Sequence, residues 1–297
     1  MSETLTIARV GAQGDGIAET PAGPVFAPLT LPGETVRGEV REGRLEAVEI
    51  LTPSPERIAP VSPHYGDCGG CSLQHWAAGP YLAWKREQVQ LALAREGLEA
   101  EIEPTVPTPP GSRRRLALHA RRGPDGRAIL GFKARRSWRL VEVTVCPIAD
   151  PRLVAAFPAL ARVAEPFLEH PKSAPTLHVT ASLTGLDVDV TGVERRTGGL
   201  SRDAQMRAIA AAAEADLARL SLAGETLVMA RQPLVGFGAA TVPLPAGGFL
   251  QASPPAEAAM VERAVAAVGG AKRIADLFCG AGAFTFPLAA VAPVLAA

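Results

Sequence analysis

Three cysteines and a serine have the spacing of a metal site. Cys68 and Cys71 stand two glycines apart at the end of Ser62-Pro-His-Tyr-Gly-Asp-Cys-Gly-Gly-Cys71, and Cys146 follows 75 residues later in Val-Cys-Pro. A Cys-x-x-Cys pair points two thiolates at one centre, and the glycines let the backbone wrap closely around it. Tertiary folding would bring in Cys146 as a third ligand. A four-ligand site needs one more, and the remaining cysteine, Cys279, belongs to a different turn. The natural fourth position is Ser62, six residues ahead of Cys68, where oxygen stands in place of sulfur.

The second candidate is cationic. Residues 113–139 hold ten basic side chains, among them Arg113, Arg114, Arg115, Arg121, Arg122, Arg135 and Arg136, against one acid, Asp125. The whole chain is formally neutral, so this stretch is a local concentration. Alternation in Arg115-Leu-Ala-Leu-His-Ala-Arg121 and Ile129-Leu-Gly-Phe132, with Gly123-Pro-Asp-Gly126 between them, predicts a β-hairpin with one cationic face. A solvated face is the plain alternative, but so many uncompensated cations repel one another and favour a polyanion. Phosphate contacts would give salt-dependent affinity, and Trp138 or Phe132 could offer a stacking surface, although both aromatics suit a core. His178 lies on an alternating strand with no ligating neighbour, so we expect it to be satisfied locally.

The third candidate is Asp276-Leu-Phe-Cys-Gly-Ala-Gly-Ala-Phe284, which reads as strand, glycine turn, helix. At the carboxyl end of a first strand such a turn lets backbone approach a nucleotide-like ligand. Gly-x-Gly alone is weak; the longer run is more specific.

Elements must hold these groups in place. Short strands around 5–10, 24–27, 35–40 and 44–51, separated by glycine and proline turns, suggest a small OB-type barrel. A helix is expected over 79–97, another over 151–169, a hairpin over 177–182 and 186–191, a helix over 202–220, strands near 225–230 and 234–241, and a helix over 256–268. No segment approaches a membrane-spanning run and no apolar signal core is present, which points to the cytoplasm, where closely spaced cysteines favour metal chemistry over disulfides.

Taken together, the Cys-Gly-Gly-Cys stretch, the basic strands, Val-Cys-Pro, Phe249-Leu-Gln251 and the Asp-Leu-Phe-Cys-Gly-Ala-Gly turn resemble the RNA (uracil-5-)-methyltransferase family across essentially the whole chain. The resemblance implies an α+β multidomain fold: an OB-like TRAM barrel over 1–55, a central α+β iron–sulfur and RNA-binding domain over 56–252, and the start of a Rossmann-like methyltransferase domain over 253–297. Helix 79–98 is a candidate to pack on that last domain. It implies S-adenosylmethionine as methyl donor, contacted by Gln251, Phe278, Gly280, Gly282 and Ala283. The family often has Asn where this chain has Ala283, and Cys279 is read as a small buried hydrophobe.

The resemblance makes Cys68, Cys71 and Cys146 ligands of a four-iron cluster with Ser62 at the fourth position, zinc being the alternative. It implies a monomer acting on tRNA or 23S rRNA. The family reaction adds a cysteine thiolate to C6 of a flipped-out uracil before C5 takes the methyl group. That late cysteine, a Pro-Pro-Arg loop and a glutamate base are not found, and one strand and one helix of the last domain are expected before Ala297. Apolar faces are then expected to lie open, and the chain is expected to be inactive alone. A non-catalytic RNA-binding module is the rival reading.

Overall fold

Alternating apolar residues over the first fifty positions build a six-stranded sheet. In the computed structural model, which describes residues 2–194 and 199–297, the chain divides into two units, 1–107 and 108–297. The first carries β1 (Ser2–Thr6), β2 (Arg9–Val10), β3 (Gly16–Thr20), β4 (Gly23–Ala27), β5 (Thr35–Arg41) and β6 (Arg44–Thr52), in the order β1-β5-β6-β4-β3-β2. Ile7, Ala18, Val25, Ala27, Val36 and Leu45 form its core. Beneath it, Glu34 is wholly buried and accepts from the Arg57 guanidinium at 2.6 and 2.9 Å and from the backbone N–H groups of Leu31 and Ser54. Burial alone would raise the Glu34 pKa. The Arg57 and backbone hydrogen bonds outweigh it and hold the carboxyl below its ordinary value.

Helix α1 (Ala78–Arg95) belongs to this unit. Tyr81 and Trp84 pack against the cluster of Val10, Leu31 and Trp76, and the Trp84 indole donates to the Val10 carbonyl at 3.1 Å. Val89 and Leu91 of the same helix are exposed.

The second unit is organised on a seven-stranded sheet of order β13-β12-β11-β10-β7-β8-β9. Its strands are β7 (Arg115–Arg122), β8 (Ala128–Lys133), β9 (Leu140–Glu142), β10 (Thr176–Ala181), β11 (Leu186–Thr191), β12 (Arg219–Leu222) and β13 (Glu225–Met229). Leu116, Leu118, Leu130, Leu177, Val179, Val188 and Leu220 are buried on one face, which the helices cover. The expected helix over 151–169 is three pieces: α2 (Pro151–Ala155), α3 (Phe157–Ala164) and a 3-10 segment (Glu165–Leu168). Pro158 and Pro166 each open a new piece, because proline supplies no N–H to continue the preceding one. The expected helix over 202–220 stops earlier, as α4 (Arg202–Glu214). Asp216 turns to a positive φ of 48° and the chain enters β12, parallel to β11.

A hairpin, β14 (Leu234–Phe237) and β15 (Ala240–Pro243), precedes α5 (Pro254–Ala267), β16 (Ile274–Asp276), α6 (Thr285–Ala289) and β17 (Val294–Ala296). The expectation of a single strand in this region is corrected: β17 pairs in parallel with β16, completing a β-α-β unit. Leu277 and Phe278 of the intervening turn and Leu295 of β17 are exposed.

Candidate functional site

The loop carrying Gln251 is held by arginines that the sequence offered as RNA contacts. The Arg115 guanidinium donates to the Leu250 carbonyl at 3.0 Å, and Arg114 Nε donates to the Gln251 carbonyl at 2.9 Å. The Arg114 backbone N–H reaches the Ala252 carbonyl at 2.7 Å. Three consecutive peptide units of an irregular loop thereby find partners on the approach to β7, satisfying backbone that no strand or helix of its own serves. Ser112 and Ser253 close the same seam, hydroxyl to hydroxyl at 2.9 Å.

Arg114 also pairs with Glu257 at 2.6 Å. Burial pushes the Glu257 carboxyl above the usual carboxylate range, while Arg114 pulls the other way. Burial also lowers the Arg115 pKa, helped by the adjacent Arg114 and Arg113 charges. These two side chains are structural first. Arg122 is similarly engaged, donating to the carbonyls of Gly126 and Leu168. Arg113, Arg121 and Arg136 are exposed and Arg135 is half-buried, so the cationic face is narrower than the sequence drew it.

A cleft of about 310 Å³ opens beside the clamp, lined by Arg113, Arg115, His178, Phe249 and Gln251. His178 is satisfied locally, its Nε2 3.1 Å from the Thr191 hydroxyl. His119 lies on the neighbouring strand, 2.9 Å from the Thr176 hydroxyl, and burial with the Lys133 and His178 charges lowers its pKa. Phe249 is exposed despite its size.

The glycine turn meets this loop through a shared apolar cluster. Leu250 is buried with Val235, Phe237 and Leu244, and Ala281 and Ala283 of the turn pack against the same group. Ala283 therefore has a packing role. Gly282 has φ of +90° and a Cβ there would stand 2.5 Å from the Phe286 ring, so only glycine fits. Gly280 has φ of +56° and a Cβ would meet nothing within 4 Å. Open space above a left-handed glycine is what a ligand approaching backbone requires, and the turn fits a nucleotide-like donor. Phe278, two residues before Gly280, has a φ of 62° and is 98% exposed. Cys279 is half-buried, with its N–H donated to the Ala297 carbonyl. The Thr285 hydroxyl ties the head of α6 to Asp276 at the end of β16.

In the first unit, Cys68 and Cys71 sit half-buried in a turn where the Gly70 N–H donates to Cys68 Sγ at 3.4 Å. An amide aimed at sulfur suits a thiolate. The Ser62 hydroxyl accepts from the His64 N–H at 3.3 Å. Cys146 is half-buried in the second unit. Among the described residues, no group of three or more His, Cys, Asp or Glu side chains is placed to hold a metal ion. No helix among them is long and apolar enough to cross a membrane.

The participants that sequence reasoning missed are Glu257, Phe249 and the clamp itself. Glu257 reads as an ordinary first-turn acid of α5, and nothing local says that its partner lies 143 residues away.

A mixed α/β architecture of this kind is shared with a solved protein. The crystal structure of Pyrococcus abyssi tRNA (uracil-54, C5)-methyltransferase in complex with S-adenosyl-L-homocysteine superposes with a TM-score of 0.66, covering 99% of this chain and 79% of that one at 18% identity. No family model matches the chain. An "Uncharacterized RNA methyltransferase" of Caulobacter vibrioides is 67% identical over 297 residues, 99% of this chain and 72% of its own length. The 23S rRNA (uracil(1939)-C(5))-methyltransferase RlmD of Alkalilimnicola ehrlichii is 32% identical, over 96% of this chain and 67% of its own. The chain belongs to the RNA methyltransferase family, alongside the uracil-C5 enzymes. These matches give no support to the expectation that it is inactive alone.

Proposed function

We propose that this protein takes part in methyl transfer from S-adenosylmethionine to C5 of a uridine in structured RNA. The observation that carries the reading is the meeting of two motifs: the Gln251 loop, clamped by Arg114 and Arg115, shares its Leu250 cluster with the glycine turn. Bound S-adenosylmethionine would supply an electrophilic methyl group. The backbone at Gly280 and Gly282 gives the donor its approach, Gln251 offers an amide beside it, and Phe278 offers an aromatic wall. The names of the relatives support uridine as the base and leave 23S rRNA and tRNA as the two substrate classes. Exposed Arg113, Arg121 and Arg136 supply phosphate contacts that hold the RNA while the target base leaves its stack.

Two further parts of the reading belong with it. The six-stranded sheet of the first unit is a TRAM-type barrel serving as an RNA platform. Cys68 and Cys71, with Ser62 as an oxygen donor, would be the first unit's ligands to an iron–sulfur cluster; the Cys-x-x-Cys spacing and the amide directed at Cys68 Sγ support it.

The test is a map of 5-methyluridine in rRNA and tRNA from cells with and without the gene. Loss of a single 5-methyluridine names the substrate. An unchanged map overturns the reading.

A further inference from the structure

We propose that the turn joining β8 to β9 is an RNA anchor in which Trp138 stacks on an unpaired nucleobase; this rests on the RNA reading above and names the contact. Trp76 packs into the first unit's core at 6% exposure, and Trp84 is packed against that cluster. Trp138, by contrast, stands 87% exposed. An aromatic with so little packing of its own contributes little to the fold.

Its ring is nevertheless held in place. The Lys133 ammonium sits 3.9 Å from the ring centroid, on one face, as the ring quadrupole favours. The turn beneath it is closed by three hydrogen bonds: Ala134 N–H to the Arg139 carbonyl at 2.8 Å, Ser137 N–H to the Ala134 carbonyl at 3.1 Å, and Arg139 N–H to the Ser137 hydroxyl at 3.1 Å. A platform ordered in advance loses less entropy when a partner lands on it.

Charge selects the partner. Residues 128–142 carry Lys133, Arg135, Arg136 and Arg139 against one acid, Glu142. An apolar peptide gains nothing from that field, whereas a nucleic-acid backbone does. A planar ring among cations is the arrangement by which proteins take hold of single-stranded nucleic acid, base on ring and phosphate on cation. Bases inside a duplex have no free face to offer, so the contact selects a loop, bulge or single-stranded flank.

The experiment compares wild type, Trp138→Ala and Trp138→Phe for binding to a fluorescein-labelled RNA hairpin with an unpaired loop and to a blunt duplex of equal length. Trp138→Ala is expected to weaken hairpin binding by roughly 5- to 150-fold, the size of one stacked base, and to change duplex binding by less than about 2-fold. Trp138→Phe should retain most of the affinity. An unchanged melting temperature for both variants accompanies this result, since the ring buries almost nothing. Equal losses on the two RNAs, or no loss on either with wild type binding both, overturn the anchor and leave the RNA reading standing. Wild type that binds neither RNA overturns the RNA reading itself.

Discussion

Arg114 donates to the Glu257 carboxylate at 2.6 Å across 143 residues of sequence, and each side chain keeps only 9% of its surface in solvent. The same guanidinium holds the Gln251 carbonyl. One side chain therefore fixes both the N-terminal turn of α5 and the loop before it. Truncating one partner of such a pair leaves the other buried and uncompensated. Arg114→Ala should cost about 3–5 kcal/mol, read as a drop in the urea midpoint, whereas Arg114→Met combined with Glu257→Leu should lose far less. Equal losses for the two variants would show that packing volume, and not the stranded charge, sets the cost.

Glu34 should make the first unit sensitive to acid. Its folded pKa lies below the ordinary value of 4.5, so between the two the unfolded chain binds more protons than the native one. The stabilisation is complete above the ordinary value and is lost as pH falls through the depressed one. A plot of melting temperature against pH should be flat above about 4.5 and fall below it. Glu34→Gln should be less stable at pH 7, with Arg57 left unpaired, and should lose part of that acid limb. A variant whose acid limb matches the wild type would assign the limb to other carboxylates.

The two turn glycines should respond differently to a methyl group. Gly282→Ala brings Cβ within 2.5 Å of the Phe286 ring at a φ of +90°, so the ring or the turn must shift. Gly280→Ala meets open space and suffers only the left-handed backbone penalty, about 1–2 kcal/mol. Titration with S-adenosylhomocysteine should show binding abolished in Gly282→Ala together with a lowered melting temperature. Gly280→Ala should weaken binding with a smaller drop in melting temperature, about 2–4 °C per kcal/mol of backbone penalty, because its methyl group occupies space left for ligand. The reverse order would remove the donor from this turn.

On the iron–sulfur reading proposed above, Ser62→Cys adds a sulfur to the stretch that carries Cys68 and Cys71. After anaerobic purification, its iron and sulfide content and the lifetime of its visible absorbance should exceed those of the wild type, because thiolate suits iron better than an alcohol oxygen. Equal content in both proteins would mean that the site is not short of one ligand. Zinc without sulfide would replace the cluster by a structural metal.

Period and turn chemistry made much of this fold legible. Leu116, Leu118 and Ala120 alternate inward as their spacing predicts, and the glycines at 280 and 282 mark the turn that they form. Helix limits were less readable where Pro158 and Pro166 split one periodic run and where Asp216 turned the chain before its apolar pattern ended. Side-chain partners at long range were not readable at all. A run of arginines announces charge without saying which members are spent inside. Arg114 and Arg121 look equivalent in the sequence, yet one is buried against Glu257 and the other faces solvent. Trp138 illustrates the converse: aromatic character predicts a core, and a short turn leading into the edge strand β9 offers none.

The clamp also sets an order of events in folding. Leu250, Gln251 and Ala252 take their backbone partners from Arg114 and Arg115, more than 130 residues earlier, and not from neighbours in the chain. Contacts of that separation close a long loop, whose entropy is lost before any reward arrives. The Gln251 loop should therefore be a late structure, assembled only after the approach to β7 is in place. In a refolding experiment the recovery of S-adenosylhomocysteine binding should lag the recovery of sheet signal, and a binding signal that returns first would reverse this order.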